Sequence, residues 1–251
     1  MADSSKPFAR GPYRRPAPRP PLELQTTTLW EYPSQDYGRE RHGDKDYIGA
    51  TPAWIIWNLL TRYTRPGDTV LDPMCGSGTT LDVARELDRR GTGFDLAATR
   101  EDIQVADARK LPLSPASVDF IFIDPPYSTH VNYSDDPRCI GKLDAAPRQG
   151  AGTDNPYYGA MAEVFGQCAR VLKNRRYLAA YVSDSFKKGQ PFMPIGFTLF
   201  GLLCRHFEPV DIVAVARHNR TLKRHNWHAA AVEGNFFLRG FNYLMIVKKV
   251  Q

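Results

Sequence analysis

Asp124-Pro125-Pro126-Tyr127 closes the apolar run Val118-Asp119-Phe120-Ile121-Phe122-Ile123 and concentrates more chemistry than any other stretch of this chain. The run reads as a buried strand. Its end therefore delivers a carboxylate, a rigid carbonyl and an aromatic ring to one point. That set suits work on the exocyclic amine of a nucleobase, whose lone pair is delocalised into the ring and is a poor nucleophile. The Asp124 carboxylate and the Pro125 carbonyl can accept the two N–H bonds and draw the nitrogen toward tetrahedral geometry. Pro125 and Pro126 fix φ and carry no N–H, which holds the acceptor pair with little freedom to relax. Tyr127 offers a face on which a base can stack. A Pro-Pro turn after a strand is also an ordinary structural stop, so this reading needs support from elsewhere in the chain.

That support lies upstream. Asp72-Pro73-Met74-Cys75-Gly76-Ser77-Gly78-Thr79-Thr80 sits between a short strand at 69–71 and a helical stretch at 81–87. Strand, Gly-x-Gly turn and helix form the layout of a nucleotide-binding unit, in which glycines admit a ligand close to the backbone and the helix start offers free N–H groups. The third glycine of the dinucleotide fingerprint is missing and no Gly-Lys-Ser/Thr follows. A pyrophosphate is therefore disfavoured and a smaller adenosyl ligand fits better. A second strand at 91–95 ends in Asp95, placed for ribose hydroxyls. A third at 103–107 ends in Asp107, placed for an adenine amino group. Leu96 and Ala108, next to these acids, belong with the same cofactor side. Any single acid at a strand end is ordinary loop solvation. Asp72, Asp95, Asp107 and Asp124 ending four successive strands would line the ligand crevice of a parallel α/β sheet.

With these residues in place, the chain resembles the S-adenosylmethionine-dependent amino methyltransferases of nucleic acids, and most closely the N4-cytosine/N6-adenine DNA methylases. Thr51-Pro52-Ala53-Trp54-Ile55-Ile56-Trp57-Asn58-Leu59-Leu60 is similar to that family's proline-started helix beside the cofactor. Ala169-Arg170-Val171-Leu172-Lys173-Asn174 is similar to its helix-ending signature, and Phe241-Asn242-Tyr243-Leu244-Met245-Ile246-Val247-Lys248-Lys249 to its final strand. The resemblance covers about residues 45–250. It implies that the glycine loop, with Thr51 and Pro52, holds S-adenosylmethionine, and that Asp124, Pro125, Pro126 and Tyr127 hold the target amine. It also implies a Rossmann-like α/β fold: a mostly parallel seven-stranded sheet with an antiparallel terminal strand and helices on both faces. Two features depart from the family pattern. The cofactor motif precedes the catalytic one, and no stretch is long enough for a separate target-recognition domain.

The bulk properties are those of one globular domain. The chain has 251 residues, 42% of them hydrophobic and 24% charged, which suffices for a full core. No apolar run approaches the roughly 18–20 residues that span a bilayer, and no signal-peptide core opens the sequence. Cys75, Cys139, Cys168 and Cys204 are widely spaced, which points to neither a disulfide framework nor zinc and suggests a reducing, cytoplasmic setting. No cysteine follows a proline, so C5-cytosine methylation has no candidate nucleophile, and no metal site is expected. The net charge of +6 suits a polyanionic partner. Residues 1–25 contribute +3 of it and contain six prolines. Residues 1–28 are expected to be a disordered basic arm, and 29–251 a single methyltransferase domain.

Two stretches are candidates for the substrate side. The long irregular segment at about 128–156 starts directly after Tyr127 and reads as a lid, with His130, Asn132 and Tyr133 nearest the amine. The strip at 217–228 holds Arg217, Arg220, Lys223, Arg224, three histidines and Trp227 without an acid. It suits phosphate neutralisation and base stacking; a solvated loop between two strands is the plainer account. The resulting expectation is methyl transfer from S-adenosylmethionine to the N6 of adenine or the N4 of cytosine in DNA. The competing readings are an RNA base amino methyltransferase and a non-catalytic nucleic-acid-binding module. Protein glutamine methylation is disfavoured, because related enzymes carry Asn where this chain has Asp124.

Overall fold

The strand β5, Val118–Ile123, is buried along its whole length, as expected of a continuous apolar run with helices on both faces. Its side chains alternate: Phe120 and Phe122 join one hydrophobic cluster, Ile121 and Ile123 the other. The computed structural model describes residues 19–44, 47, 49–127, 132–185, 191–218 and 225–250. Around β5 stand β1 (Leu29–Trp30), β2 (Thr69–Asp72), β3 (Arg90–Asp95), β4 (Ile103–Val105), β6 (Leu172–Val182), β7 (Glu208–Ala216) and β8 (Phe241–Lys248). They form one sheet in the order β1-β7-β8-β6-β5-β2-β3-β4. Strand β8 runs antiparallel to both β6 and β7, while the remaining pairs are parallel.

The expected seven strands are present, and an eighth, two-residue strand β1 is added at the edge by parallel pairing with β7. The helices α1 (Ala53–Tyr63) and α2 (Thr79–Glu86) belong to the Phe120/Phe122 face. The helices α3 (Pro156–Val171) and α4 (Ile195–Leu203) cover the other. Strand order reverses between β2 and β5, and this switch point is where a doubly wound sheet opens a crevice at its carboxyl edge. A fifth helix, α5 (His225–Glu233), occupies the end of the basic strip, which had read as loop.

Residues 19–28, expected to belong to a disordered arm, are docked on the body. Residues 1–18 lie outside the described residues, but from Arg19 onward the chain is tied to the body. The Arg19 guanidinium donates to the carbonyls of Tyr37, Gly38 and Glu40 at 3.1–3.2 Å. Tyr32 Oη donates to the Pro20 carbonyl at 2.7 Å, and the Gln25 N–H to Asn58 Oδ1 at 2.8 Å. These local bonds satisfy a proline-rich backbone that cannot join the sheet. Composition alone does not reveal them.

The segment expected to form a lid is also partly built into the body. Ile140, Ala145 and Ala146 are buried against α3 in the main core. Asn155 is fully buried and caps α3 by accepting the Tyr157 N–H at 2.9 Å. Its amide donates to the carbonyls of Asp144 and Ala146 at 3.2 and 3.1 Å. One side chain thus caps a helix and pins the loop that precedes it. Replacing Asn155 with Ala should cost about 2–3 kcal/mol of unfolding free energy in a denaturant titration, since a cap is lost and one buried and one half-buried carbonyl lose this donor.

Candidate active site

The glycine loop is built by its neighbours as much as by its own glycines. Gly76 and Gly78 have φ of +49° and +81°, values that side-chain-bearing residues rarely adopt. A Cβ on Gly78 would lie 2.5 Å from the Arg100 guanidinium, and one on Gly76 2.9 Å from the Tyr47 ring. Cys75 N–H donates to the Phe94 carbonyl at 2.8 Å and Gly76 N–H to Asp95 Oδ2 at 2.9 Å, fastening the loop to the end of β3. Arg100 grips Asp82 of α2 with two 2.8 Å bonds and reaches the Ser77 carbonyl at 3.3 Å.

The loop lines a cavity at the switch point. Of the residues expected on the cofactor side, Thr51, Asp72, Met74, Cys75, Gly76 and Ser77 face it. So do Thr79, Thr80, Asp95, Leu96, Asp107 and Ala108. Pro73, Gly78 and Pro52 stand behind that wall, and Pro52 faces a second cavity instead. Asp107 is not a free acceptor. Arg109 holds its carboxylate with bonds of 2.7 and 3.0 Å and keeps its pKa below the usual range. Asp124, Pro125, Pro126 and Tyr127 close the far end of the cavity, joined by Tyr133 from the following segment.

The second cavity lies on the α1 side, and Asp124 and Tyr127 form walls of both. Tyr32, Tyr47, Tyr181, Arg217 and Asn242 are among its other lining residues. Of these only Arg217 was expected from the sequence. Asn242 is 5% exposed on β8. Its side chain lies by the hydroxyls of Tyr127 and Tyr181, whose pKa values burial raises and Asn242 acts to lower, while among the described residues its buried Oδ1 has no partner. A lone polar residue in the apolar run 241–247 was the available signal. Tyr47 has none beyond its aromatic character. Asn132 is exposed and donates to Asp135 Oδ1 at 3.0 Å, and Trp227 is exposed on α5; neither faces a cavity. His130, Arg220, Lys223 and Arg224 lie outside the described residues.

Two carboxyl groups at this junction are strongly perturbed. Burial pushes Asp124 up to about 8. A 2.5 Å hydrogen bond from Thr51 Oγ1 opposes the shift, and the charge of Asp72 adds to it. Burial likewise raises Asp72 to about 7, against hydrogen bonds from Thr80 Oγ1 and the Met74 N–H. Among the described residues neither forms an ion pair. Asp119, near the opposite end of β5, also feels burial but meets Lys173 and Arg176 at 2.8 and 2.9 Å, and its pKa is lowered. The folded state therefore holds protons on Asp72 and Asp124 that the unfolded chain releases near the ordinary value. Stability from these groups is complete below that value and declines as pH rises toward 8. Asp124→Asn should raise the thermal midpoint, and by more at about pH 9 than at about pH 5. Equal gains at both pH values would contradict the assignment.

Comparisons with known proteins reach part of this site. The family model described as DNA methylase, for N6 and N4 methyltransferases, matches residues 8–105, which include α1, β2 and the glycine loop and stop before Asp124. The type II methyltransferase M.HinfI of Haemophilus influenzae is 27% identical over 106 residues, which is 41% of this chain and 29% of that protein. The type II methyltransferase M2.DpnII of Streptococcus pneumoniae is 40% identical over 58 residues, 23% of this chain and 21% of that protein. The chain thus matches less than a third of the length of either relative. Among solved structures, a geranyl diphosphate C-methyltransferase of Streptomyces coelicolor superposes with a TM-score of 0.50 at 12% identity. That likeness covers 80% of this chain and 79% of that one and speaks to the fold alone. The glycine-loop region of this chain is thus similar to the DNA methylase family model and to two type II methyltransferases, while the sheet as a whole shares its fold with a solved methyltransferase structure.

Proposed function

We propose that the protein methylates the exocyclic amine of adenine or cytosine in DNA, with S-adenosylmethionine as the donor. The observation that carries this reading is that Asp124 and Tyr127 form the partition between two cavities, one lined by the glycine loop and one by aromatic and polar side chains. The first cavity suits the cofactor by the chemistry of its walls. Asp95 and Asp72 supply acceptors for hydroxyl and ammonium groups, Leu96 and Ala108 supply apolar contact, and Gly76 presents its backbone to the cavity. When bound, S-adenosylmethionine supplies an electrophilic methyl group.

The chain's own residues do the rest. A target base entering the second cavity meets the Tyr127 ring, with Asn242 beside it in the cavity wall. Asp124 and the Pro125 carbonyl accept the two N–H bonds of its amine and orient the nitrogen lone pair toward the first cavity. As the nitrogen gains a carbon it must release a proton. Asp124, whose pKa burial raises to about 8, is placed to take it. A base in duplex DNA has to leave the helix to arrive there, at a cost of a few kcal/mol that stacking and the pocket must offset. Arg217, facing the second cavity, supplies positive charge for the backbone.

The test is incubation of the protein with labelled S-adenosylmethionine and, separately, single-stranded DNA, duplex DNA and total RNA, followed by nucleoside analysis by mass. Methylated adenine or cytosine from DNA is the expected product. A product from RNA alone would replace DNA as the substrate. Asp124→Ala should lower turnover to background while retaining cofactor binding by calorimetry. In the wild type, kcat/KM should rise with pH and level off above about 8, because the carboxylate is the active form. A profile that falls across that range would remove Asp124 from the role.

A further inference from the structure

An aromatic surface lies at the same edge of the sheet as the second cavity, on the face covered by α4. Tyr243 of β8 anchors it. Its hydroxyl donates to Asp184 Oδ2 at 3.0 Å, and its ring presses on Gly196 of α4, where an added Cβ would lie 2.5 Å away. Phe197 and Phe241 each meet the Tyr243 ring edge-on, with centroids 5.8 and 5.0 Å apart. The Arg239 guanidinium sits 5.1 Å from the centre of the Phe192 ring, and its charge also acts on Tyr243. Phe197 is 67% exposed, and Phe192 and Phe241 are 44% and 43% exposed. Single exposed apolar residues need no explanation, but a connected set of rings does.

The surface shares the carboxyl edge of the sheet with the second cavity but lies on the α4 face: Asn242 lines the cavity, and the next residue of β8, Tyr243, points to the opposite side. Ser183, beside Asp184, accepts from Arg217 of the cavity wall through its Oγ at 3.4 Å. Asp184 is buried and also accepts the Gly196 N–H at 2.9 Å, so it presents no free charge at the surface. What faces outward is aromatic and cationic. That combination fits nucleic acid, because every base has a π-face and arginine both stacks on rings and pairs with phosphate. The chain's net charge of +6 has the same sign.

We infer that Phe197, Phe241 and Tyr243, with Arg239 over Phe192, form a stacking platform for an unstacked base flanking the target nucleotide. The inference rests on the function proposed above and narrows it. Bases within an intact duplex have their faces covered by neighbours, so the platform favours single-stranded or locally opened nucleic acid.

The test compares wild type, Phe197→Ala and Phe241→Ala for binding to single-stranded oligonucleotides by fluorescence anisotropy. A second oligonucleotide set has one nucleotide at a time made abasic. Each substitution should weaken binding about 5- to 100-fold, the range of one lost base stack. Cofactor binding and the salt slope should stay unchanged. One abasic position should weaken the wild type but leave the Phe197→Ala protein unaffected, a coupling that general damage to the fold would not produce. Equal affinity of variants and wild type overturns the platform and leaves the proposed function standing. So does a change in sedimentation with unchanged affinity, which would make the surface a contact between copies of this chain. A wild type that binds cofactor but no nucleic acid would overturn both.

Discussion

Among the described residues, Asp72 and Asp124 have no cation partner at the switch point of the sheet, and the site is organised around that constraint. Burial makes both carboxylates costly to ionise, and their partners are hydroxyl and backbone N–H groups from Thr51, Thr80 and Met74. The opposite end of β5 shows how the same fold neutralises a buried acid when no chemistry is needed, through Lys173 and Arg176 on Asp119. An acid that is fully paired cannot accept a ligand's protons. Asp72 and Asp124, without an ion pair among the described residues, therefore trade stability for acceptor capacity, as functional sites commonly do.

The parts that enclose this edge come from distant stretches of the chain. The segment before α1 is strapped to α2 by the Gly43 N–H on Asp82 at 2.8 Å and by Tyr37 Oη on Glu86 at 2.7 Å. This strap brings Tyr47 and Thr51 over the glycine loop and Asp124. From the other end of the sequence, antiparallel β8 starts at the carboxyl edge where its neighbours finish, so Asn242 meets Tyr127 and Tyr181. A parallel last strand would have carried that asparagine to the opposite edge.

Much of this organisation was legible in the sequence because it follows local rules. Apolar runs mark β5 and β6, a Gly-x-Gly turn marks the entry to α2, and acids recur where strands end. The β1 strand escaped notice because two residues leave no period to read. The α5 helix escaped because a cationic strip reads equally as loop. The docked residues 19–28 were hidden by proline content, which reports the inability to form regular structure and says nothing about packing. Asp107 was read as an open acceptor, but Arg109, two residues on, already occupies it.

The sequence by itself determined the chemistry available to this protein. Asp124-Pro125-Pro126-Tyr127 and the glycine loop are contiguous motifs whose geometry is set by proline, glycine and strand-end positions within a few residues. Only the tertiary structure decided which side chains share a wall with them. Tyr32, Tyr47, Tyr181 and Asn242 converge because the order of strands and the direction of β8 bring residues more than a hundred positions apart to one edge. Long-range pairing is a property of the assembled sheet, and no local pattern in the chain encodes which partners it brings together.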